Sequence, residues 1–424
     1  MIGALSRRLG ALLVAVALIS ACAGGDSTPT PPPMRVATSV PTAPSTPAST
    51  APTPAASTTA PPSPTGTSVA QDTSTVEPVE VELLGHQVTA PRGLAVSVFA
   101  EGLGAPRFMA LDDQGVVYVA DRAGRRIVRL PDADGDGVAD SAAAVLHDLN
   151  WPHSLAFHDG YLYVAETNEV VRSRDADSDG VYDTPEVVVP DLPTGGHWSR
   201  TIVFGPDGML YLSIGSSCNV CDEDDNRRAA VLRYTADGLD GELFSTGLRN
   251  AVGLAFDASG RLWATNNGRD GMGDDVPPET INLLTQGADF GWPRCHSGDI
   301  PDPDFAGDSG CDGVTPPAVT MQAHSAPLGL AFAGPDTLGG AYDGSLLVAF
   351  HGSWNRSEPT GYKVVLLPFV DGQPTGEVID FLAGFLLDDG ASWARPVDVL
   401  PLPDGSVLVS DDAGGRIFRV SVDE

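Results

Sequence analysis

Lysine is almost missing from this sequence: Lys363 is the only one, and every other fixed cation is arginine. Cysteine is scarce, with five residues in 424, and aromatics make up only 7%. Charged residues reach just 19% and are lopsided, for a formal net charge of −32. So acidic a chain argues against nucleic acid or anionic membrane surfaces as direct partners. Segments with the 3.6-residue apolar period of a helix are absent at useful length. The apolar run from Leu9 to Ile19 is too short to span a bilayer. What is plentiful is glycine (48) and proline (36), the profile of a turn-rich all-β protein.

Arg7 and Arg8 precede that apolar run, which ends in Ile19-Ser20-Ala21-Cys22. This reads as a signal segment over 1–21, and its end resembles the lipobox of bacterial lipoproteins, with Cys22 as the lipidated residue. Losing Arg7 and Arg8 with the signal would leave a net charge of about −34. Residues 22–76 are mostly Pro, Thr, Ser, Ala and Gly, too poor in apolar surface to fold, and read as an extended tether. The expectation is an exported domain over 77–424, anchored by lipid to the cell envelope outside the cytoplasm, with no other membrane contact.

Four cysteines remain, Cys218, Cys221, Cys295 and Cys311. An even number in an exported chain reads as two disulfides, and the local pairs Cys218–Cys221 and Cys295–Cys311 are favoured. Cys-x-x-Cys can also hold a metal or haem, but haem attachment needs a histidine where Asp222 stands.

Self-comparison gives the fold. An apolar strand, a Gly-containing turn and a second Leu-Tyr-Val-type strand recur at 107–120, 153–165, 201–214, 251–265, 328–350 and 396–410. Turns such as Pro206-Asp207-Gly208 and Pro403-Asp404-Gly405 are hairpin chemistry. Six units of this kind predict an all-β, six-bladed β-propeller.

Just before the first strand of each unit stand Arg107, His153, His197, Arg249, His324 and Arg395. In a propeller these positions surround one mouth of the central channel. A second set of loops, carrying Asp121-Arg122, Glu166, Asn267-Gly268-Arg269, His351 and Asp411-Asp412, reaches the same face. A ring of cationic groups in so acidic a chain predicts a pocket for a compact polyanion.

Gly104-Ala-Pro-Arg107, Gly195-Gly-His-Trp-Ser-Arg200, Gly247-Leu-Arg-Asn250, Asn267-Gly-Arg-Asp270, Gly287-Ala-Asp-Phe-Gly-Trp-Pro293, His351-Gly-Ser-Trp-Asn-Arg356 and Arg395-Pro396 occur in this order. Over about 90–422 the sequence thereby resembles the soluble glucose/sorbosone dehydrogenases, sugar oxidoreductases that use pyrroloquinoline quinone (PQQ) and calcium. The sorbosone/pyranose branch looks nearer than the glucose branch. The resemblance implies His197 as general base and Arg249 beside the quinone oxygens. It implies Arg107, His351, Arg395 and Asn250 as further cofactor binders. The backbone carbonyls of Gly268 and Arg269 would hold the calcium against PQQ. A sugar is the implied substrate and a periplasmic cytochrome or quinone the electron acceptor. Two departures weigh against glucose itself: Ser216 stands where that branch has an aspartate assisting the base, and its cofactor lysine has no clear counterpart, although Lys363 is nearby in sequence.

Asp132, Asp134, Asp136 and Asp140, and again Asp175, Asp177, Asp179 and Asp183, follow a D-x-D-x-D-G-x-x-D spacing. Alternate carboxylates with glycine at position six suit a hard cation, so both are expected to be structural calcium loops at the outer edge of the first two blades. Two other functions fit the same fold: a calcium-dependent, lactonase-like propeller hydrolase, and a non-catalytic binding propeller. The first wants carboxylate and Asn ligands on the axis, where this sequence places mainly Arg and His. The second has no need of His197 and Arg249 on one channel.

Overall fold

The computed structural model describes residues 76–177 and 180–423. Arg7, Arg8, Cys22, almost all of the tether and Asp179 lie outside these residues.

The chain folds as an all-β, six-bladed propeller. Each blade is built on four antiparallel strands, the first two coinciding with one sequence repeat, and the third blade adds a short parallel strand, Ala288–Asp289, at its outer edge. The first blade runs Pro106–Leu111, Val117–Asp121, Arg126–Leu130 and Ala143–Leu146. The second to fifth begin at Ser154, Arg200, Leu254 and Pro327. The sixth combines Pro396–Pro401, Val407–Asp411 and Arg416–Val422 with Leu94–Ala100 from the other end of the domain. That antiparallel pairing closes the ring and leaves no blade edge unpaired at the seam.

Strand chemistry follows blade position. The second strand of a blade is packed on both faces by neighbouring blades, so it is apolar at nearly every position. Val117–Asp121, Leu210–Ile214 and Leu346–Phe350 are buried throughout. Outer strands meet solvent, as in Glu186–Val189, whose first two residues are exposed. Separate apolar clusters fill the gaps between adjacent blades, for example Tyr163, Ile202 and Leu212 between the second and third. Fully burying one such side chain contributes roughly 1.5–3 kcal/mol.

A hairpin, Pro78–Leu83 with His86–Pro91, precedes the closing strand. It lies outside the six repeats, and the repeat pattern gave no sign of it. Val88 and Ala90 bury against the fifth and sixth blades, and Thr89 bridges Ala383. Both expected disulfides are present, Cys218–Cys221 and Cys295–Cys311. Among the described residues no helix is long and apolar enough to cross a membrane.

Candidate active site

The loops before each first strand and after each second strand converge on a cavity of about 550 Å³ at one mouth of the channel. His197, Arg249, Asn250, His324 and Arg395 reach it from the first set, Arg107 from the start of the first strand itself rather than from the loop before it, and Arg122, Gly268, Asp270, His351 and Asp412 from the second. Four arginines against the three carboxyls Asp270, Glu279 and Asp412 leave one positive charge in excess, within a chain that carries −32 overall.

His197 stands in the loop ahead of the third blade. Its Nδ1 lies 3.0 Å from the Ser216 carbonyl oxygen and 3.0 Å from the Ser216 hydroxyl oxygen. That hydroxyl donates to the Cys218 carbonyl at 2.6 Å, so it can only accept from the imidazole. Nδ1 therefore carries the proton and Nε2 is left as a basic lone pair. Burial, with the nearby Arg249 charge next, lowers the imidazole to about 4, against the pull of the Ser216 hydrogen bond. At neutral pH His197 is thus a neutral base already in the required tautomer.

Arg249 is buried in the same loop cluster, and its carbonyl accepts the Ser216 amide. Its Nη2 donates to Asp270 Oδ2 at 2.7 Å and to Asn219 Oδ1 at 3.0 Å, and its Nε to the Asn219 carbonyl at 3.0 Å. Asn355 donates to the other Asp270 oxygen at 2.7 Å and also meets His324 Nδ1 at 3.2 Å.

Across the cavity, Arg107 and His351 share Asp412. Against the upward push of burial, the bond from His351 and the charge of Arg107 hold the Asp412 carboxyl far below the usual carboxylate range. Burial lowers His351 to about 4, so it is a neutral donor through Nε2, 2.8 Å from Asp412. His153 departs from the expected ring. It is fully buried behind Arg107, whose Nε donates to its Nδ1 at 3.3 Å, and it does not line the cavity. Burial depresses its basicity strongly, so it is a packing acceptor for Arg107 and no part of a cationic mouth. Asp121 and Glu166 also turn away: they accept the backbone amides of Gly104 and Ala105, and of Asn150, as loop caps.

Arg395 spends Nε and Nη2 on the carbonyls of His351 and Gly352 and keeps Nη1 for the cavity. Arg122 makes no side-chain hydrogen bond to the protein; its guanidinium stacks over Trp198 and Trp151, 5.2 and 5.4 Å from the ring centroids. The sequence showed Arg122 in the right loop but gave it no role. Trp354 lines the cavity and is 79% exposed. Lys363 is elsewhere, paired with Asp380 at 2.6 Å.

Gly268 lines the cavity beside Glu279, whose Oε2 accepts the Gly268 amide at 2.6 Å. Burial raises Glu279 to about 7. Arg269 is not among the lining residues, and its guanidinium pairs with Asp302 and Asp304. Glu279 escaped the sequence reading because it starts a third strand, with no motif to flag it. The ionisable side chains of the cavity lining are mainly Arg and His, as expected, and Glu279 joins Asp270 and Asp412 as the carboxyls among them.

Of the outer acidic loops, Asp132, Asp134 and Asp136 bring oxygens within 4.8 Å of one another. Asp140 instead caps the Ala133 amide at 2.7 Å. In the second loop Asp175 accepts the Gly180 amide at 2.9 Å, and Asp183 closes the turn through its own amide to Arg174. Asp175, Asp177 and Asp183 do not gather as a ligand group among the described residues. Both loops join the third and outer strands of their blades, as expected.

A six-bladed propeller with a cationic cavity, a neutral histidine base and a buried arginine facing it defines a chain related to the PQQ-dependent sugar dehydrogenases. It belongs to the TrAA12-like family, whose pattern matches residues 88–423. An uncharacterized protein of Borreliella burgdorferi is 34% identical over 229 residues, covering 53% of this chain and 60% of that one. The PQQ-dependent pyranose dehydrogenase of Coprinopsis cinerea is 26% identical over 407 residues, which cover 79% of this chain and 54% of that enzyme. The chain thus spans little more than half the length of the curated relatives it matches. The holo PQQ domain of the Coprinopsis enzyme superposes with a TM-score of 0.70 at 24% identity, over 79% of this chain and 97% of that domain. A calcium structure of a Trichoderma reesei family AA12 protein gives 0.71 at 24%, over 81% and 98%. At these identities the superpositions establish the fold.

Proposed function

We propose that this protein is a PQQ- and calcium-dependent dehydrogenase of a sugar: an aldose, sorbosone or another pyranose. The observation that carries the reading is His197, a neutral base with a free Nε2, on the same cavity as Arg249. The donor set suits a planar polyanion. Arg122 Nε is buried with no protein acceptor, and Asn250 Oδ1 is buried with no donor. Both line the cavity that a tricarboxylate would fill.

Bound PQQ would supply a two-electron acceptor for hydride, and calcium would supply Lewis acidity at the quinone. Arg107, Arg122 and Arg395 offer donors for its carboxylates, His351 lines the same pocket with its Nε2 proton committed to Asp412, and Asn250 offers an amide. Gly268 and Arg269 offer backbone carbonyls for calcium, with Glu279 adjacent to Gly268. His197 Nε2 takes the hydroxyl proton of the sugar as its carbon loses hydride. Arg249 stabilises negative charge growing on the acceptor side. Trp354, exposed at the mouth, offers an apolar face for a pyranose ring. A hydrolytic centre would need carboxylates free to bind metal, whereas Asp270 and Asp412 are each tied to a cavity arginine.

The same proposal makes the protein an exported one. Two disulfides suit an oxidising compartment. The signal over 1–21, lipidation at Cys22, the tether, and a cytochrome or quinone as acceptor complete the reading.

Metal-stripped protein would be titrated with PQQ, with and without calcium, following dye reduction on a panel of aldoses including sorbosone and glucose. Saturable, calcium-dependent turnover that His197→Ala abolishes is expected. Absence of PQQ binding would remove the dehydrogenase reading.

A further inference from the structure

Residues 215–229 join the second and third strands of the third blade, and Cys218 and Cys221 close a four-residue ring within them. A staple for an exposed loop would need nothing more. The ring nevertheless reaches both groups assigned to chemistry. Asn219, inside it, meets Arg249 twice, through its carbonyl to Nε and its side-chain oxygen to Nη2, each at 3.0 Å. The same side chain forms a reciprocal pair with the backbone of Asp270, the Asp270 amide to Oδ1 at 2.8 Å and Nδ2 to the Asp270 carbonyl at 2.9 Å. Trp292 Nε1 donates to the Asn219 carbonyl at 3.2 Å. From Cys218, the carbonyl accepts the Ser216 hydroxyl, whose oxygen receives His197 Nδ1.

An arginine side chain has many rotamers, and its planar fork acts only in one orientation. Two acceptors from one residue fix that plane, but only if the residue is itself fixed. We propose that Asn219, held by the Cys218–Cys221 ring, is a positioning residue that sets the Arg249 guanidinium and, through the neighbouring Cys218 carbonyl, the Ser216–His197 pair. Its chemical purpose rests on the dehydrogenase reading; its geometry does not.

Three measurements on the full-length protein decide it. The first is a crystal structure of cofactor-free Asn219→Ala, in which Arg249 should leave its present plane. The second is PQQ affinity by tryptophan fluorescence, expected to weaken on the order of tenfold in Asn219→Ala and in the Cys218→Ser/Cys221→Ser pair. The third is a double-mutant cycle with Arg249→Lys, which lacks the fork. On that background Asn219→Ala should change affinity by less than about twofold. An Arg249 that keeps its place in the variant overturns the proposal. So does an affinity loss that persists in full on the Arg249→Lys background, since the effect would then be general weakening of the loop. If the wild-type protein binds no PQQ, the dehydrogenase reading falls, and the crystal structure alone decides whether Asn219 positions Arg249.

Discussion

Arg107 Nη1 lies 2.6 Å from Asp412 Oδ2, a nearly dry ion pair that ties the first blade to the last. Asp412 gives its other oxygen to His351, so one carboxylate organises two expected cofactor binders. Removing it leaves a buried guanidinium uncompensated. Asp412→Asn should cost about 3–5 kcal/mol of unfolding free energy, read by urea denaturation at neutral pH. Because the Asp412 pKa is depressed, the contribution is present above the unfolded carboxylate value and lost as pH falls through the folded one. The wild type and the variant should therefore converge in strong acid.

His197 titrates near 4 in the cofactor-free protein because burial and the Arg249 charge disfavour imidazolium. A polyanion in the same cavity adds negative charge, which favours imidazolium, so its value should rise when PQQ binds. Histidine NMR titration, assigned with His197→Gln, measures both values. Activity should be flat through neutrality and fall on the acid side as the base is protonated. A value unchanged by PQQ would place the cofactor away from this base.

The blade count and most of the ring were legible in the sequence because a propeller repeats one strand position every blade. A residue at or just before the start of the first strand, such as Arg107 or Arg249, therefore projects toward the axis. The rule failed at His153, whose side chain is buried behind Arg107 and accepts its Nε instead of reaching the cavity. Glu279 and Asn219 were illegible for a different reason. Their contacts cross from one loop to another, Glu279 to the Ala326 amide 47 residues on and Asn219 to Asp270 51 residues on, and no spacing encodes that. The hairpin over 78–91 lay outside the repeat that revealed everything else.

The loop at Asp132 brings oxygens of three carboxylates within 4.8 Å of one another. A hard cation would relieve their repulsion and fix the strand connection. Calcium should raise Tm by several degrees in a chelator-treated sample, and Asp132→Ala should abolish most of that rise while leaving sugar oxidation largely intact. An identical rise in the variant would assign the stabilising ion to another place.

Trp354 is exposed, yet its loop is firmly held. Ser353 and Thr360 exchange two hydrogen bonds, Tyr362 donates to the Ser353 carbonyl, and Asn355 is fixed by Asp270. A large apolar ring presented on a rigid loop suits ligand contact more than packing. Trp354→Ala should raise KM for the sugar roughly tenfold with kcat within about twofold, the pattern of binding lost equally from ground and transition states. Tm should hardly move, because the indole buries little. A fall in kcat at constant KM would contradict a sugar platform.

Asp398 sits in the first strand of the sixth blade, buried and accepting the Met109 amide at 2.9 Å. Burial raises its carboxyl to about 7. The folded state therefore holds a proton that the unfolded chain has released, and this stability is present at low pH and lost as pH rises through 7. His197 and His351 act oppositely: lowered to about 4, they withdraw stability as pH falls from 6.5 towards 4. The wild-type profile should accordingly be shallow, with the Asp398 effect masked. Asp398→Asn removes one of the two raised carboxyls, the other being Glu279, that weigh against the histidines. Urea unfolding should show the wild type gaining roughly 2–3 kcal/mol relative to the variant on going from pH 8 to pH 5. A difference independent of pH would mean that Asp398 stays ionised in the folded state, held by Arg107 through the coulombic attraction that opposes its burial.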